Sequence, residues 1–390
     1  MVILDMPYVS DFLKNTLSEF RIPVIDTGQL NQFKLNKDTV ILPELNAIET
    51  LKKKPGTRIY TNSENAIGWI GKNLSFSELP AKINIFKDKL LFRKLTQTLY
   101  PDLFFKGLDL KSINSLDITE IPLPFIIKPS VGFFSMAVYR VNSADEWPGV
   151  KENILNELKQ VEGIYPVEVM DTGKFIIEGI IEGEEYAVDA YFDKNGKPVV
   201  LNIMKHIFAS ESDFSDRLYI TSADIIGAQL GIVENFLAKI GEITNLKDFP
   251  LHIELRVKEG QNPIPIEVNP LRFGAWCTTA DTTFMAYNFN SIHYFLNELK
   301  PDWNKILSSK EGKIYAMMVL ENSTGYKTGE IKSFNYDKLV SQLEKPLEIR
   351  KIDFYRYPVF GFLFAETRTE NFAELERILC SDLREFVELL

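Results

Sequence analysis

One stretch of the sequence, residues 251–272, limits the fold more than any other. It reads LHIELRVKEGQNPIPIEVNPLR, and its first half alternates apolar with polar residues, the period-two pattern of a β-strand with two different faces. The second half repeats the alternation, with Glu267 and Asn269 on its polar face. Because residues 258–263 between them are rich in turn formers, the two strands are predicted to form a hairpin.

The polar faces of the two predicted strands carry oxygen ligands. If both belong to one face of a sheet, Glu254, Glu267 and Asn269 become neighbours, with Arg256 and Arg272 close by. Two carboxylates and an amide carbonyl suit magnesium, which completes its shell with water and substrate phosphates. The residues alone leave a second interpretation equally open, a solvated sheet face that carries an ordinary Glu–Arg pair.

Composition and charge narrow the class of protein. The chain has 390 residues, of which 45% are hydrophobic and 25% charged, enough for two or three domains with cores. A formal net charge of −10 argues against a nucleic-acid or anionic-membrane partner. The first residues lack a signal-peptide pattern, and no apolar run reaches membrane-spanning length, so a cytoplasmic protein is expected. Cys277 and Cys380 are too few for a disulfide framework.

The order of apolar and amphipathic segments predicts an α/β protein of three parts. Residues 1–82 alternate short apolar strands with amphipathic helices, which predicts a small domain with a parallel sheet. Nothing in them predicts dinucleotide binding, since no GxGxxG follows the first strand. A second domain is predicted over 83–309 and a C-terminal α+β subdomain over 310–390.

A basic segment opens the second domain. Residues 83–101 are predicted to form one basic amphipathic helix that ends at Pro101. Its cations are Lys87, Lys89, Arg93 and Lys94, and for all of them except Lys89 the interpretation is a solvated helix face.

A strand that ends in a lysine predicts phosphate binding. The segment IIKPSVGFFSMAV places Lys128 at the end of an apolar strand, before a loop that contains Ser130, Gly132 and Ser135. An ammonium group and loop amides together can neutralise phosphate, although a loop with one glycine is a weak signal.

Two further polar groups are candidates for nucleotide contacts. Glu178, Glu182, Glu184 and Glu185 crowd one strand segment, where ribose hydroxyls or an adenine amino group would be suitable donors. Exposure at a sheet edge is the alternative, above all for Glu182 and Glu184. Lys205, beside His206, is either a phosphate contact or a surface residue.

Taken in order, these segments resemble the ATP-grasp superfamily, which includes carboxylate-amine ligases and biotin-carboxylase-like enzymes. The resemblance covers roughly residues 1–300, and it implies a central ATP-grasp domain built from two α+β subdomains. The order of four motifs is more specific than any one of them. Two departures weaken it: Phe133, Phe134 and Ala137 stand where many members have glycines, and Arg272 lies one place later than the usual arginine.

The resemblance also implies roles for individual residues. It makes Lys89 and Lys128 the lysines that bind the ATP phosphates, and Arg272, with Arg256, the group that faces the transferred phosphoryl. Glu254, Glu267 and Asn269 would bind magnesium, or manganese in its place. The other implied ATP contacts are Ser130, Gly132 and Ser135 in the loop, Glu178, Gly179 and Ile181 at the adenine, Glu185 at the ribose, and Lys205.

The implied activity is that of an ATP-dependent ligase. A carboxylate would be activated as an acyl phosphate and then joined to an amine, and an amino acid is one candidate acceptor. The partners would be these small molecules, and the chain a monomer or a homodimer. Two alternatives stay open: a biotin-carboxylase-like or other phosphoryl-transfer enzyme, and an ATP-binding module with little catalysis.

Overall fold

The protein contains a four-stranded parallel sheet at its N-terminus and, after it, antiparallel sheets of four and eight strands, which confirms the predicted fold class. It is described here from a computed structural model over residues 1–132, 137–161, 171–210, 213, 215–274, 276 and 278–390.

The first sheet has four parallel strands in the order β3-β2-β1-β4. Val2 lies opposite both Val24 and Tyr60, so β1 is central. The strands are β1 (Val2–Ile3), β2 (Val24–Asp26), β3 (Ile41–Pro43) and β4 (Tyr60–Thr61). The helices that accompany them are α1 (Asp11–Glu19), α2 (Glu44–Lys53) and α3 (Ala66–Asn73).

The segment predicted as one basic helix over 83–101 is two helices, so that prediction is wrong. They are α4 (Leu79–Lys87) and α5 (Lys89–Thr96). The break is at Asp88, whose carboxylate accepts hydrogen bonds from the backbone N–H groups of Leu90 at 3.0 Å and Leu91 at 3.1 Å. An aspartate that caps backbone N–H groups in this way marks the start of a second helix.

The second sheet has four antiparallel strands in the order β5-β8-β6-β7. They are β5 (Phe105–Asp109), β6 (Phe125–Val131), β7 (Tyr139–Val141) and β8 (Asp171–Gly179), and α6 (Trp147–Val161) belongs to the same unit. Its apolar core includes Phe125, Trp147 and Phe175.

The third sheet has eight strands in the order β13-β12-β9-β10-β11-β14-β17-β16, all pairs antiparallel. They are β9 (Glu184–Phe192), β10 (Pro198–Ile207), β11 (Leu218–Ser222), β12 (Phe249–Val257), β13 (Ile264–Pro270), β14 (Lys313–Glu321), β16 (Lys345–Lys351) and β17 (Val359–Arg368). Three of them come from residues after 310, so the C-terminal segment completes the sheet of the central domain.

Helices and one small sheet cover this large sheet. The helices are α7 (Ala223–Thr244), α8 (Thr278–Tyr287), α9 (Ser291–Asn297), α10 (Trp303–Leu307), α11 (Tyr336–Val340) and α12 (Ala373–Leu379). The small sheet pairs β15 (Ile331–Phe334) with β18 (Val387–Leu389). No helix within the described residues is long and apolar enough to cross a membrane.

Candidate functional site

The predicted hairpin is confirmed, and it brings its polar side chains together. β12 and β13 pair in antiparallel register with Glu254 opposite Glu267 and His252 opposite Asn269. Because side chains alternate along a strand, Glu254 also shares a face with Glu185 of the neighbouring β9. We call this the site face, defined as the face of the eight-stranded sheet that carries Glu254 and Glu267.

The two opposed carboxylates have different electrostatic environments. Burial, together with repulsion from Glu267 and Asp216, raises the pKa of Glu254 against the lowering effect of His252. Burial would also raise the pKa of Glu267, but the nearby Lys89 and Lys87 lower it below its ordinary value. Lysines therefore outweigh the effect of burial at Glu267, whereas the effect of His252 does not outweigh burial and repulsion at Glu254.

His252, for which no role was predicted, lies between Asp189 and Glu254. Its Nδ1 lies 2.8 Å from Asp189 Oδ1 and its Nε2 lies 3.7 Å from Glu254 Oε1. Burial favours the neutral ring, but the two carboxylates outweigh it and raise the pKa of His252 to about 9. Asp189 Oδ1 also accepts a hydrogen bond of 3.2 Å from the Gly274 N–H, so one buried network fixes both strands and the segment that follows them.

Lys89 reaches the hairpin from the start of α5. Its Nζ donates to Glu267 Oε1 at 2.9 Å and to the Gly132 carbonyl at 3.3 Å. Although burial works against the charged form, Glu267 raises the pKa of Lys89. The structure therefore brings the helix, the end of β6 and the hairpin together at one ammonium group.

Glu178 lies between two cations in the second sheet. Its Oε2 is 2.7 Å from Lys128 Nζ, and its Oε1 accepts from Arg93 Nε. All three side chains are buried, and Lys128 and Arg93 outweigh the effect of burial and lower the pKa of Glu178 to about 2. The solvated-face interpretation of Arg93 is wrong; its position four residues after Lys89, on the same side of a helix, was the available signal.

The loop residues after Lys128 are placed only in part. Ser130 is 1% exposed, and its Oγ donates to Asp88 Oδ1 and accepts from the Leu90 N–H at 3.2 Å. It therefore ties β6 to the start of α5. Ser135, like Phe133 and Phe134, lies outside the described residues.

Glu185 is held by two basic groups on the site face. Arg256 donates to Glu185 Oε2 from Nη2 at 2.8 Å and from Nε at 3.2 Å, and His206 Nδ1 lies 2.8 Å from Oε1. Lys205 is on the opposite face of β10, where its Nζ lies 2.5 Å from Glu184. Of the predicted ATP contacts, Glu185 is thus near the carboxylate pair and Lys205 is turned away from it.

Arg272 meets a residue of the N-terminal domain. Its Nη2 donates to Glu64 Oε1 at 2.8 Å, and Lys87 Nζ donates to Glu64 Oε2. The solvated-face interpretation is wrong for Lys87, which is 5% exposed, whereas Lys94 is exposed as interpreted. No local pattern pointed to Glu64, because its partners lie 23 and 208 positions away.

The donor set of the hairpin fits magnesium. Among the residues that the structure describes, no group of three or more His, Cys, Asp and Glu side chains is arranged to hold a metal ion. Magnesium needs fewer protein ligands, since it keeps waters and takes phosphate oxygens. Glu254 and Glu267 repel each other across the hairpin, and a divalent cation between them would remove that repulsion.

One family model matches a central part of the chain. Residues 121–280 match the model of the ATP-grasp domain, a range that includes Lys128, Glu178 and the hairpin. The chain contains an ATP-grasp domain. No protein of curated function matches the chain in sequence.

Solved structures extend the likeness of the ATP-grasp domain to the whole chain. L-amino acid ligase from Bacillus licheniformis aligns over 100% of this chain and 98% of its own, with a TM-score of 0.71 and 15% identity. Biotin carboxylase from Campylobacter jejuni aligns over 100% and 92%, with a TM-score of 0.63 and 12% identity. N5-carboxyaminoimidazole ribonucleotide synthetase from Thermotoga maritima aligns over 100% of this chain and 98% of its own, with a TM-score of 0.63 and 13% identity. At these identities, the likeness shows a shared fold.

Proposed function

We propose that the protein is an ATP-dependent ligase that joins a small carboxylate to an amine. A carboxylate oxygen attacks the γ-phosphorus of ATP, and ADP leaves, which gives an acyl phosphate. The amine nitrogen then attacks the acyl carbon, phosphate leaves, and the nitrogen loses a proton as the amide forms. Such chemistry needs positioning and charge neutralisation more than a protein nucleophile.

One observation carries this proposal. Lys89 bonds to Glu267, and Glu267 stands in register with Glu254 across the hairpin. A phosphoryl-transfer site needs an ammonium group beside a magnesium-binding carboxylate pair, because both neutralise the oxygens of the moving phosphoryl group. The likeness to an L-amino acid ligase over the full chain supports an amino acid as one of the substrates.

The predicted site residues have parts in this proposal, except Lys205, which lies on the opposite face of β10. Lys89 and Lys128 would bind the phosphates, and the loop from Ser130 through Gly132 to Ser135 would cover them. Since Lys128 and Arg93 already take both oxygens of the Glu178 carboxylate, the backbone of Gly179 and Ile181 would hold the adenine. Glu185 would bind the ribose, and Arg256 would hold Glu185 in place. Arg272 would face the transferred group.

Magnesium would be held by Glu254, Glu267 and Asn269. When bound, it would neutralise charge on the phosphate oxygens. His252 would hold Glu254 in place through their contact. Lys89, which donates a hydrogen bond to Glu267, would donate to a phosphate oxygen when ATP is bound.

A second candidate is a biotin-carboxylase-like reaction. The full-length likeness to biotin carboxylase, with a TM-score of 0.63, favours it. The two candidates share the activation of a carboxylate by ATP and differ in the group that receives it.

The test is phosphate release from magnesium-ATP across a panel of amino acids, small carboxylates and bicarbonate, offered singly and in pairs. We expect release that requires one particular pair and produces ADP. The variant E267Q should lose this release by at least 100-fold, because it removes a charge at the metal site, while its circular dichroism spectrum and unfolding midpoint stay close to the wild type.

Different outcomes separate the candidates. Release with bicarbonate and no amine would favour the biotin-carboxylase-like reaction. Undiminished release by E267Q would refute the assignment of Glu267 to the metal. Tight binding of magnesium-ATP without release for any member of the panel would contradict the ligase proposal.

A further inference from the structure

A surface groove of about 290 Å³ lies behind the candidate site. Its walls come from α7, from the segment that follows α5 and from the turn of the β12–β13 hairpin. α7 packs on the sheet face opposite to the site face, since Gln229 Nε2 donates to Tyr186 Oη at 3.4 Å and Tyr186 follows Glu185 in β9. The groove is therefore separate from the residues assigned to ATP and magnesium.

The walls of the groove combine apolar surface with one cation. Its buried lining residues include Tyr100, Phe236 and Pro263, and its exposed polar ones include Asn235, Lys239 and Asn262. Lys239 is the one charged residue among the described residues that line the groove. Its Nζ lies 3.4 Å from Asn262 Oδ1, and it forms no ion pair within the described part of the chain. A cation without a counter-charge beside apolar walls fits an anion with an apolar body.

The size of the groove limits what this anion can be. Pockets that bind small molecules usually measure roughly 300–1,000 Å³, so the groove, at about 290 Å³, is at the lower end of the range. An apolar cavity of about 150 Å³ already holds benzene. The groove therefore has room for one ring with a short acidic chain, and the rings of Tyr100 and Phe236 are suitable partners for an aromatic ring.

The groove borders two elements that also form the candidate site. Tyr100, which follows α5, donates from Oη to the Pro263 carbonyl at 2.6 Å, and Pro263 directly precedes β13. Nearer the site, Lys89 at the start of α5 donates to Glu267 of β13 at 2.9 Å. The two elements are thus joined both at the groove and at the carboxylate pair, so a ligand that contacts Tyr100 and Pro263 contacts both of them.

We propose that this groove is an effector site for a small aromatic carboxylic acid, whose carboxylate pairs with Lys239 and whose ring lies against Tyr100 and Phe236. A ligand bound here stabilises the arrangement in which Glu267 holds Lys89. Because the proposed function needs Lys89 to donate to a phosphate oxygen, the effector lowers the affinity for magnesium-nucleotide. The inhibition rests on the proposed function, whereas the binding site does not.

Phenylacetate is the probe, titrated by calorimetry into the full chain without nucleotide. Phenylacetamide, which has the same ring and no charge, tests the need for a carboxylate. K239Q removes the cation of the groove, and N235W fills the groove with an indole ring from an exposed position of α7. K94Q is the matched control, because it removes an exposed lysine of α5 that does not line the groove.

We expect phenylacetate to bind K239Q about fivefold more weakly than the wild type, since an exposed ion pair contributes little free energy. Phenylacetamide should bind the wild type with a similar loss, N235W should not bind phenylacetate, and K94Q should match the wild type. The proposal is overturned if phenylacetate does not bind, if the amide binds as well as the acid, or if K239Q or N235W binds phenylacetate like the wild type.

A second titration, of magnesium-ADP with and without saturating phenylacetate, measures the coupling between the groove and the site. We expect magnesium-ADP to bind about fivefold more weakly when phenylacetate is present, and N235W to show no such difference. An unchanged or higher affinity would refute the inhibitory role. If magnesium-ADP does not bind at all, the proposed function fails, and the titration without nucleotide still decides whether the groove is a binding site.

Discussion

At the scale of single residues, two buried carboxylates of this protein are each held by a pair of cations. Glu178 lies between Arg93 and Lys128, and Glu64 lies between Lys87 and Arg272. A carboxylate bound on both oxygens by hydrogen-bonded cations stays ionised despite burial. Such a unit tolerates the loss of one member poorly, because the remaining charges are then buried without a partner.

This arrangement predicts how stability depends on pH. The pKa of Glu178 is about 2 in the folded protein, below its ordinary value of 4.5, so its contribution is present above pH 4.5 and is lost as the pH falls toward 2. E178Q should therefore lower the free energy of unfolding by about 3 kcal/mol at pH 7, and this deficit should shrink toward zero near pH 2.

Urea unfolding of the wild type and E178Q between pH 7 and pH 2 measures the difference in their free energies of unfolding. K94Q is the control, since Lys94 lies on the same helix as Arg93 but is exposed, and it should change stability little at any pH. A deficit for E178Q that stays constant with pH would contradict the ion-pair explanation.

The residues that sequence reasoning found and missed differ in the range of their partners. Glu254, Glu267 and Asn269 were predictable because one hairpin, with a local turn, brings them together. Lys87 and Arg93 were interpreted as solvated, because the carboxylates that bind them lie 23 and 85 positions away in the sequence. Glu64 was missed for the same reason: a lone glutamate after a short strand carries no local signal.

At the scale of elements, the strands and the long helix were predictable from the spacing of their apolar residues. The break between α4 and α5 was not. The long helix is α7, which is capped at its start by Ser222, whose Oγ accepts a hydrogen bond from the Ile225 N–H at 3.2 Å. The break at Asp88 was missed because the spacing of apolar residues continues across it. A second helix starts there because the Asp88 carboxylate accepts hydrogen bonds from the backbone N–H groups of Leu90 and Leu91.

Three glycines in α7 make a testable set. A Cβ added at Gly227 or Gly231 would meet no atom within 4 Å, and both positions are exposed. Each change to alanine should raise the free energy of unfolding by about 0.5–1 kcal/mol, because alanine loses less conformational entropy in a helix.

Gly241 is the contrasting position in the same helix. A Cβ there would lie 2.6 Å from the ring of Phe192, so G241A should lower stability by about 1–3 kcal/mol. Urea unfolding of the three variants compares them directly, and equal effects for G231A and G241A would show that packing at Phe192 does not decide the outcome.

At the scale of the whole molecule, the C-terminal segment is part of the central sheet. β14 pairs with β11 from Leu218 to Ser222, and β17 and β16 follow it. The boundary predicted at residue 310 therefore divides a continuous sheet. The sequence could not show this pairing, because the paired residues of β11 and β14 lie far apart in the chain, as Leu218 and Met318 do.

A chain cut after residue 309 should fail to fold. It would leave β11 as an unprotected edge and expose the apolar side chains of Leu218 and Ile220, which are buried against the C-terminal segment. Size-exclusion chromatography and circular dichroism of the truncated protein measure this. A monomeric product with native helix content that binds magnesium-ADP would refute it and restore residues 310–390 as a separate domain.

The contact between Glu64 and Arg272 has a consequence for the order of events during folding. It joins residues 208 positions apart, and contacts of such long range form late because closing the intervening loop costs chain entropy. The hairpin and α5 can form early from local signals, but the arginine is set in place only when the N-terminal domain docks. Under the function proposed above, a newly synthesised chain that has not finished folding would bind nucleotide before it could hydrolyse it.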